Sequence, residues 1–136
     1  MHANRAEICD GAEWGDLKVE FETFPAGLDT APLLRGLPDD ACPCPHWGYV
    51  FSGSILVRYR DREETYRAGD AFYMAPGHVP VFLEDTDLFE LSPAAQLADA
   101  MQVVIANMTE LESSGQPMNA GAGSTSSTFL DSITPR

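Results

Sequence analysis

The feature that most constrains the fold of this chain is a series of short β-prone segments between residues 47 and 91, each ended by a turn signal. Aromatic and β-branched runs alternate there with clusters of glycine, proline, serine and aspartate, as strands and turns do. Roughly seven or eight short strands at this close spacing, with residues 17–21 as the first, predict an all-β sandwich or small barrel. WGYVF and ILVRYR flank SGS and are predicted to pair as a hairpin. The segments are WGYVF, ILVRYR, TYR, AFYMA, VPVFLE and DLFEL.

A helical period replaces the β pattern near residue 93. Ser92 is a favourable N-cap and Pro93 suits the first helical position, so the sequence predicts one amphipathic helix over residues 93–112. Its apolar stripe must pack on the barrel or on a partner. The stripe consists of Leu97, Met101, Val104, Ile105, Met108 and Leu111. The predicted organisation is a flexible N-terminus over 1–14, a barrel over 15–92, the helix over 93–112 and a disordered tail over 113–136.

The charge of the chain excludes several partners. A net charge of −13 with a single lysine, Lys18, argues against nucleic acid, which is bound through clustered lysine and arginine. It also argues against an anionic membrane surface, and no apolar run is long enough to span a bilayer. The N-terminal residues lack the apolar segment of a secretory signal, so a cytoplasmic location with cysteines as free thiols is predicted.

Two stretches resemble the motifs of the cupin family. YVFSGSILVRY is similar to the end of the first cupin motif, and AGDAFYMAPGHVP is similar to the second. The resemblance covers residues 15–92 and implies a double-stranded β-helix, or jelly-roll, barrel. More narrowly, the chain resembles a group of small acidic bacterial cupins that share the signature CPHWGYV. The resemblance further implies a metal site, a small-molecule ligand and a homodimer.

The cupin ligand pattern is altered here. Motif spacing places His46 at the position of the family's metal-binding glutamate, Cys42 at its second histidine and Asp40 at its first. In the second motif the closing histidine position is Pro80, but a histidine, His78, lies two residues earlier. Glu84 takes the usual asparagine position. The candidate ligands are therefore Cys42, Cys44, His46 and His78, with Asp40 and Glu84 as weaker candidates.

The stretch CPCPH predicts a rigid set of ligands. In an extended chain Cys42, Cys44 and His46 project to one side, and the intervening prolines restrict the backbone. Gly48 would leave space beside His46. Two thiolates and two imidazoles match a tetrahedral zinc site, so zinc is favoured among divalent transition metals. Copper suits the same donors, and iron would require carboxylate ligands as well.

Each candidate residue also has a purely structural interpretation. The cysteines can be small buried apolar residues, His46 a hydrogen-bonded core histidine and His78 the cap of the APGH turn. Glu84 fits a surface acid, whereas Glu90 could face either solvent or the barrel interior. An aromatic stripe on a strand is typical of core packing, so core packing is predicted for Trp47, Tyr49, Phe51 and Tyr73, and for the neighbouring Met74.

Two functions are compatible with these observations. The first is a metal-binding cupin that acts on or binds a small organic molecule in the barrel, with no reaction assigned. The second is a non-catalytic binding or structural cupin, with a closed Cys/His metal site or with no metal. A homodimer is expected with either function, because the helix stripe needs cover and by family resemblance.

Overall fold

The computed structural model describes residues 12–115. Eight strands are followed by one long helix, α1, and two single-turn 3-10 helices precede β3. The strands are β1 (Ala12–Trp14), β2 (Leu17–Phe24), β3 (His46–Ser52), β4 (Ser54–Arg58), β5 (Glu63–Arg67), β6 (Ala71–Met74), β7 (Val79–Phe82) and β8 (Thr86–Pro93). The helix α1 spans Ala94–Ser114, and the 3-10 turns span Ala31–Leu34 and Pro38–Asp40.

The strands form two antiparallel sheets that face each other. One sheet has the order β1-β2-β8-β3-β6 and the other the order β5-β4-β7. An isolated bridge between Asp29 and Val81 extends the smaller sheet beyond β7. From β3 onward the chain passes repeatedly from one sheet to the other, which is how a jelly roll is wound. The predicted all-β jelly-roll barrel with one C-terminal helix is confirmed.

The predicted hairpin of WGYVF and ILVRYR is wrong. β3 pairs with β6 and β8, whereas β4 pairs with β5 and β7. The chain crosses between the sheets at Gly53, whose φ is +91°. A Cβ atom there would lie 2.4 Å from the carbonyl oxygen of Asp85. The turn residues between these two β-prone runs therefore mark a crossover between the sheets. Local sequence indicates a turn, but it does not indicate which strands will pair on either side of it.

The helix α1 closes one side of the barrel. It packs against β2, β8 and the 3-10 turn Ala31–Leu34, and Asn107 Nδ2 donates hydrogen bonds to the carbonyl oxygens of Leu33 and Arg35. The helix buries Ala100, Val104, Met108 and Leu111. Of the stripe residues, Val104, Met108 and Leu111 are buried against the same chain, whereas Leu97, Met101 and Ile105 are half-buried.

The predicted helix start is also corrected. Ser92 is the penultimate residue of β8, Pro93 occupies the N-cap position, and neither makes a side-chain cap. Ser92 is fully buried, and its hydroxyl contacts His46 instead. The strand continues to the helix without a loop because the final residues of β8 still pair with β2.

The larger sheet carries apolar side chains on both faces. Its inner face contributes Val50, Phe72, Met74 and Leu88 to the buried core, so core packing of Met74 is confirmed. Core packing of the other aromatic candidates is wrong, because they lie on the outer face. Their exposed fractions are 43% for Trp47, 37% for Tyr49, 45% for Phe51 and 45% for Tyr73.

Strand alternation explains this reversal. His46 and Val50 are buried, and successive side chains on a strand point to opposite faces, so the intervening aromatic residues point away from the core.

Among residues 12–115, no helix is both long enough and apolar enough to cross a membrane.

Candidate metal centre and its cavity

A short backbone pairing brings the two motif segments together. Cys42 and His78 form an isolated antiparallel bridge. The N–H of Cys42 donates to the carbonyl oxygen of His78 at 3.0 Å, and the N–H of Gly77 donates to that of Cys42 at 2.8 Å. The bridge lies just before β3 and at the start of β7, so side chains far apart in sequence enter one site.

Cys42, His46 and His78 form a compact buried cluster. One ligand atom from each lies within 4.8 Å of the others. The Sγ of Cys42 lies 3.9 Å from the Nε2 of His46, and the two imidazole rings lie edge to face with centroids 4.8 Å apart. Soft and borderline donors in this arrangement match the ligand preferences of zinc and copper.

Both histidines are oriented by hydrogen bonds at Nδ1. The Nδ1–H of His78 donates to the carbonyl oxygen of Ala75 at 2.7 Å, which leaves the lone pair on Nε2. The Nδ1 of His46 lies 2.7 Å from the hydroxyl of Ser92 and 3.7 Å from a carboxylate oxygen of Glu90. Such partners commonly fix ring orientation in metal-binding histidines.

Burial keeps the cluster uncharged in the absence of a cation. It lowers the pKa of His46 to about 4 and, with the neighbouring His46, lowers that of His78 to about 3. Burial raises the pKa of the Cys42 thiol to about 11. The imidazoles are thus neutral and able to bind a metal, and the contact between His46 and Glu90 is not an ion pair.

The remaining sequence candidates lie elsewhere. Cys44 is fully buried, but the chain bends at this residue and its Sγ lies 3.6 Å from the carbonyl oxygen of Pro45. It is not part of the compact cluster, because the bend interrupts the alternation assumed for CPCPH. Asp40 is exposed and accepts a hydrogen bond from the N–H of Gly36, and Glu84 is exposed in the turn after β7.

A group of carboxyls next to the cluster was not predicted as part of the site. Glu20, Glu22 and Glu90 place one oxygen each within 4.8 Å of the others. Glu20 and Glu90 are direct cross-strand partners on β2 and β8. Burial and its neighbour Glu90 raise the pKa of Glu20 to about 7, and burial raises that of Glu90 to about 7. In the sequence, strand alternation indicates that Glu20 and Glu22 share one face of their strand. It does not indicate whether that face is the interior.

One cavity connects the cluster and the carboxyls. Its volume is about 120 Å³, which is comparable with the roughly 150 Å³ of a cavity known to hold benzene. The described lining contains no lysine or arginine. The polar wall consists of Cys42, His46, His78, Glu20, Glu22 and Glu90, together with Thr30. Apolar side chains from the core and α1 complete it, among them Phe24, Leu33, Phe82, Leu97, Met101 and Val104.

The space predicted beside His46 at Gly48 is filled. A Cβ atom on Gly48 would lie 2.2 Å from the carbonyl oxygen of Phe89 and 2.5 Å from the ring of Phe72. Glycine is therefore required here for close approach of β8 and the Phe72 ring, and the cavity lies elsewhere around the imidazole.

No family model and no curated protein matches this sequence. Among solved structures, the chain is similar to KdgF from Halomonas sp., with 27% identity, 60% of this chain and 74% of that chain covered, and a TM-score of 0.44. A cupin-2 domain protein from Shewanella frigidimarina is 18% identical, with 60% of this chain and 74% of that chain covered and a TM-score of 0.44. A cupin superfamily protein from Desulfitobacterium hafniense is 8% identical, with 60% of this chain and 71% of that chain covered and a TM-score of 0.46. The strand order described above defines the class of fold here, a small jelly-roll barrel.

Proposed function

We propose that this small cupin binds a divalent transition metal through Cys42, His46 and His78, and that a small organic molecule occupies the adjoining cavity. The observation that carries the proposal is the convergence of one thiol and two imidazoles, oriented at Nδ1, on a single buried point. Zinc is the favoured metal, with copper and iron as alternatives.

The spacing of the donors fits one shared cation. Zinc binds sulfur at about 2.3 Å and imidazole nitrogen at about 2.0 Å, so two such donors at a tetrahedral angle lie about 3.5 Å apart. The Sγ of Cys42 and the Nε2 of His46 are 3.9 Å apart, so only a small adjustment is needed. Binding would displace the proton held by the Cys42 thiol, as thiolate is the ligating form.

Three protein ligands favour a site with one position left for an exchangeable group. Catalytic zinc sites have this composition, whereas structural sites use four protein ligands. A bound metal would supply Lewis-acid activation of a small molecule. Around it, Ser92 would hold the imidazole of His46, and Glu90 could accept or return a proton at the cavity wall.

The cavity wall favours a neutral or positively charged molecule over an anion. Glu20, Glu22 and Glu90 contribute carboxyl groups, and the described lining has no basic side chain to balance them. A buried anion placed beside these groups would be disfavoured by repulsion and desolvation. The apolar remainder of the lining suits an alkyl or aryl body of about the size of benzene.

Cobalt and zinc titrations of purified protein test the metal site. Cobalt bound to Cys42 is expected to show thiolate-to-metal absorption and the d–d bands of a low-coordinate site. Cys42→Ala is expected to remove the thiolate band and reduce affinity at least about a hundredfold, since a direct ligand is lost. Cys44→Ala is the matched control, because it removes a buried thiol two residues away and should leave the spectrum unchanged. Equal loss in both variants would contradict this ligand set.

Ligand charge is tested separately on the metal-loaded protein. Butylamine, butanol and butyrate have similar apolar bodies and different charges. The melting temperature should rise most with butylamine and least with butyrate. The reverse order would contradict the proposed charge preference without affecting the cobalt result.

A non-catalytic binding or structural cupin is the second candidate. This function is favoured if Cys44 becomes a fourth protein ligand after a local rearrangement and so closes the coordination shell of the metal. Cobalt spectra of a four-coordinate site with two thiolates and no exchangeable water would demonstrate it. A cytoplasmic location is part of either proposal, and the free thiols of Cys42 and Cys44 support it. A homodimer also belongs to the proposal.

A further inference from the structure

A second depression lies on the outside of the barrel, next to the metal cavity. This outer groove lies between α1 and the strands β1 and β2, and its volume is about 350 Å³. Within residues 12–115, three side chains line both the outer groove and the cavity, namely Glu20, Leu97 and Met101. We call these three residues the shared wall, because they separate the two spaces. The rest of the outer groove is lined by Glu13, Lys18, Ala94, Ala98, Gln102 and Ile105.

The spacing of residues on α1 explains why two of its side chains reach both spaces. Residues three or four apart share one face of a helix. Val104 lines the cavity and not the outer groove, whereas Ile105 lines the outer groove and not the cavity. Leu97 and Met101, one turn apart, lie where these two faces of the helix meet. Both are half-buried, so each has cavity on one side and solvent on the other.

The other partly exposed parts of the cavity lining are held more firmly. Apart from the shared wall, the described lining residues that keep partial exposure are Thr30, Pro80 and Glu90. The backbone N–H and the hydroxyl of Thr30 both donate to the carbonyl oxygen of Pro80, at 3.1 Å and 2.7 Å. Glu90 is the direct cross-strand partner of Glu20 and lies on the same side of the cavity. Opening at Thr30 would therefore break hydrogen bonds, whereas opening at the shared wall needs only side-chain movement.

The helix is anchored on either side of the shared wall. The N–H of Ala94 donates to the carbonyl oxygen of Asp16 at 2.9 Å, and Asn107 holds the 3-10 turn Ala31–Leu34. Methionine is unbranched and adapts its shape easily, and partly exposed side chains change rotamer within about nanoseconds. Met101 can therefore swing aside while α1 stays in place.

We propose that small molecules enter the cavity by displacing the side chain of Met101, and that this side chain sets the size of the molecule admitted. The proposal deepens the proposed function and rests on it, since it requires the cavity to receive a molecule. The outer groove has room to hold a molecule before it enters the smaller cavity of about 120 Å³. On this route the molecule passes Glu20 before it reaches the thiol of Cys42.

Modification of the Cys42 thiol in the metal-free protein measures entry directly, because Cys42 lines the cavity. In a full-length chain that carries Cys9→Ser and Cys44→Ala, Cys42 is the one thiol left of three. Methyl methanethiosulfonate transfers a methylthio group to the thiolate and releases methanesulfinate, and mass spectrometry of the whole chain follows the reaction. Met101→Ala is expected to raise the rate at least about tenfold, because entry no longer requires a side chain to move.

Ile105→Ala is the matched control, because it removes apolar atoms from the same helix and from the outer groove but not from the shared wall. Its rate should equal that of the parent chain. Benzyl methanethiosulfonate tests the size limit: the methyl reagent should react much faster than the benzyl reagent in the parent chain, and this difference should shrink in Met101→Ala. Urea below the unfolding transition should leave the rates nearly unchanged, since opening at the shared wall exposes little surface.

Equal rates in Met101→Ala and Ile105→Ala would overturn the proposal. A rate that rises steeply with urea would also overturn it, because labelling would then occur through unfolding. A larger acceleration in Thr30→Val than in Met101→Ala would place the entrance at Thr30 instead. The measurement needs no metal, so a failed cobalt titration would leave the entry route standing, and a failed labelling experiment would leave the proposed metal ligands standing.

Discussion

The two faces of β3 differ in chemistry although they share one strand. The inward residues include His46, which meets Cys42 and Ser92, and Gly48, which leaves no room for a methyl group. The outward residues Trp47 and Tyr49 keep more than a third of their surface exposed. The inner face is thus fixed by polar contacts and close packing, whereas the outer face is a smooth apolar layer.

This difference shows how one short segment can serve two purposes. Alternation along a strand places adjacent residues in separate environments, so HWGYVF contributes His46 to the cavity wall on one side and exposes Trp47, Tyr49 and Phe51 on the other. The inner positions should be sensitive to changes of a single atom. The outer positions should tolerate substitution better, because their side chains are partly exposed.

The largest expected effect comes from Gly48→Ala on the inner face. The new methyl group would overlap a carbonyl oxygen of β8 and the Phe72 ring, so β3 and β8 would have to separate. Overpacking of this kind costs about 3 kcal/mol or more when backbone must move. Urea unfolding of the monomer measures it. Wild-type stability in this variant would show that the inner face is looser than described.

Ser92→Ala should weaken metal binding without removing a proposed ligand. The Ser92 hydroxyl lies 2.7 Å from the Nδ1 of His46, and loss of such an orienting partner typically costs 10- to 100-fold in metal affinity, or about 1.4 to 2.7 kcal/mol. Competition between zinc and a chelator measures the change. Ser54→Ala, at a buried serine away from the cluster, is the control, and an equal loss of affinity there would point to a general folding effect.

Glu20→Gln should stabilise the protein at high pH. The folded-state pKa of Glu20 is raised to about 7 from an ordinary 4.5, so its contribution to stability is present below pH 4.5 and lost as pH rises to about 7. The variant lacks this loss, and its advantage should grow over that window by about 1 to 2 kcal/mol after allowance for partial exposure. Thermal melts from pH 4 to pH 8 measure it. Glu63→Gln, on exposed β5, should show no such trend.

The smallest expected effect on monomer stability comes from the outer face of the larger sheet. Tyr73→Ser removes a ring that is 45% exposed, so unfolding of the dilute monomer should change by about 1 kcal/mol or less. A large loss of monomer stability would mean that the outer face is part of the core, and the contrast between the faces would fail.

The sequence alone determined the class of fold. Period-2 alternation, regular turn residues and a change to helical spacing near residue 93 are local properties of the chain, so they could be interpreted without coordinates. Ile55 and Val57, two residues apart on β4, are both fully buried, as that alternation requires. The sequence also indicated the segments that contain Cys42, His46 and His78, because potential metal ligands close to prolines are conspicuous in an acidic chain.

Tertiary structure decided which residues meet and which face is buried. The crossover at Gly53, the cover of α1 by its own barrel and the wall formed by Glu20 and Glu90 depend on contacts between distant segments. Cys44 is separated from Cys42 by a bend that two prolines do not dictate. Alternation states that neighbours on a strand point to opposite sides, but only the packing of the second sheet and the helix determines which side becomes the interior.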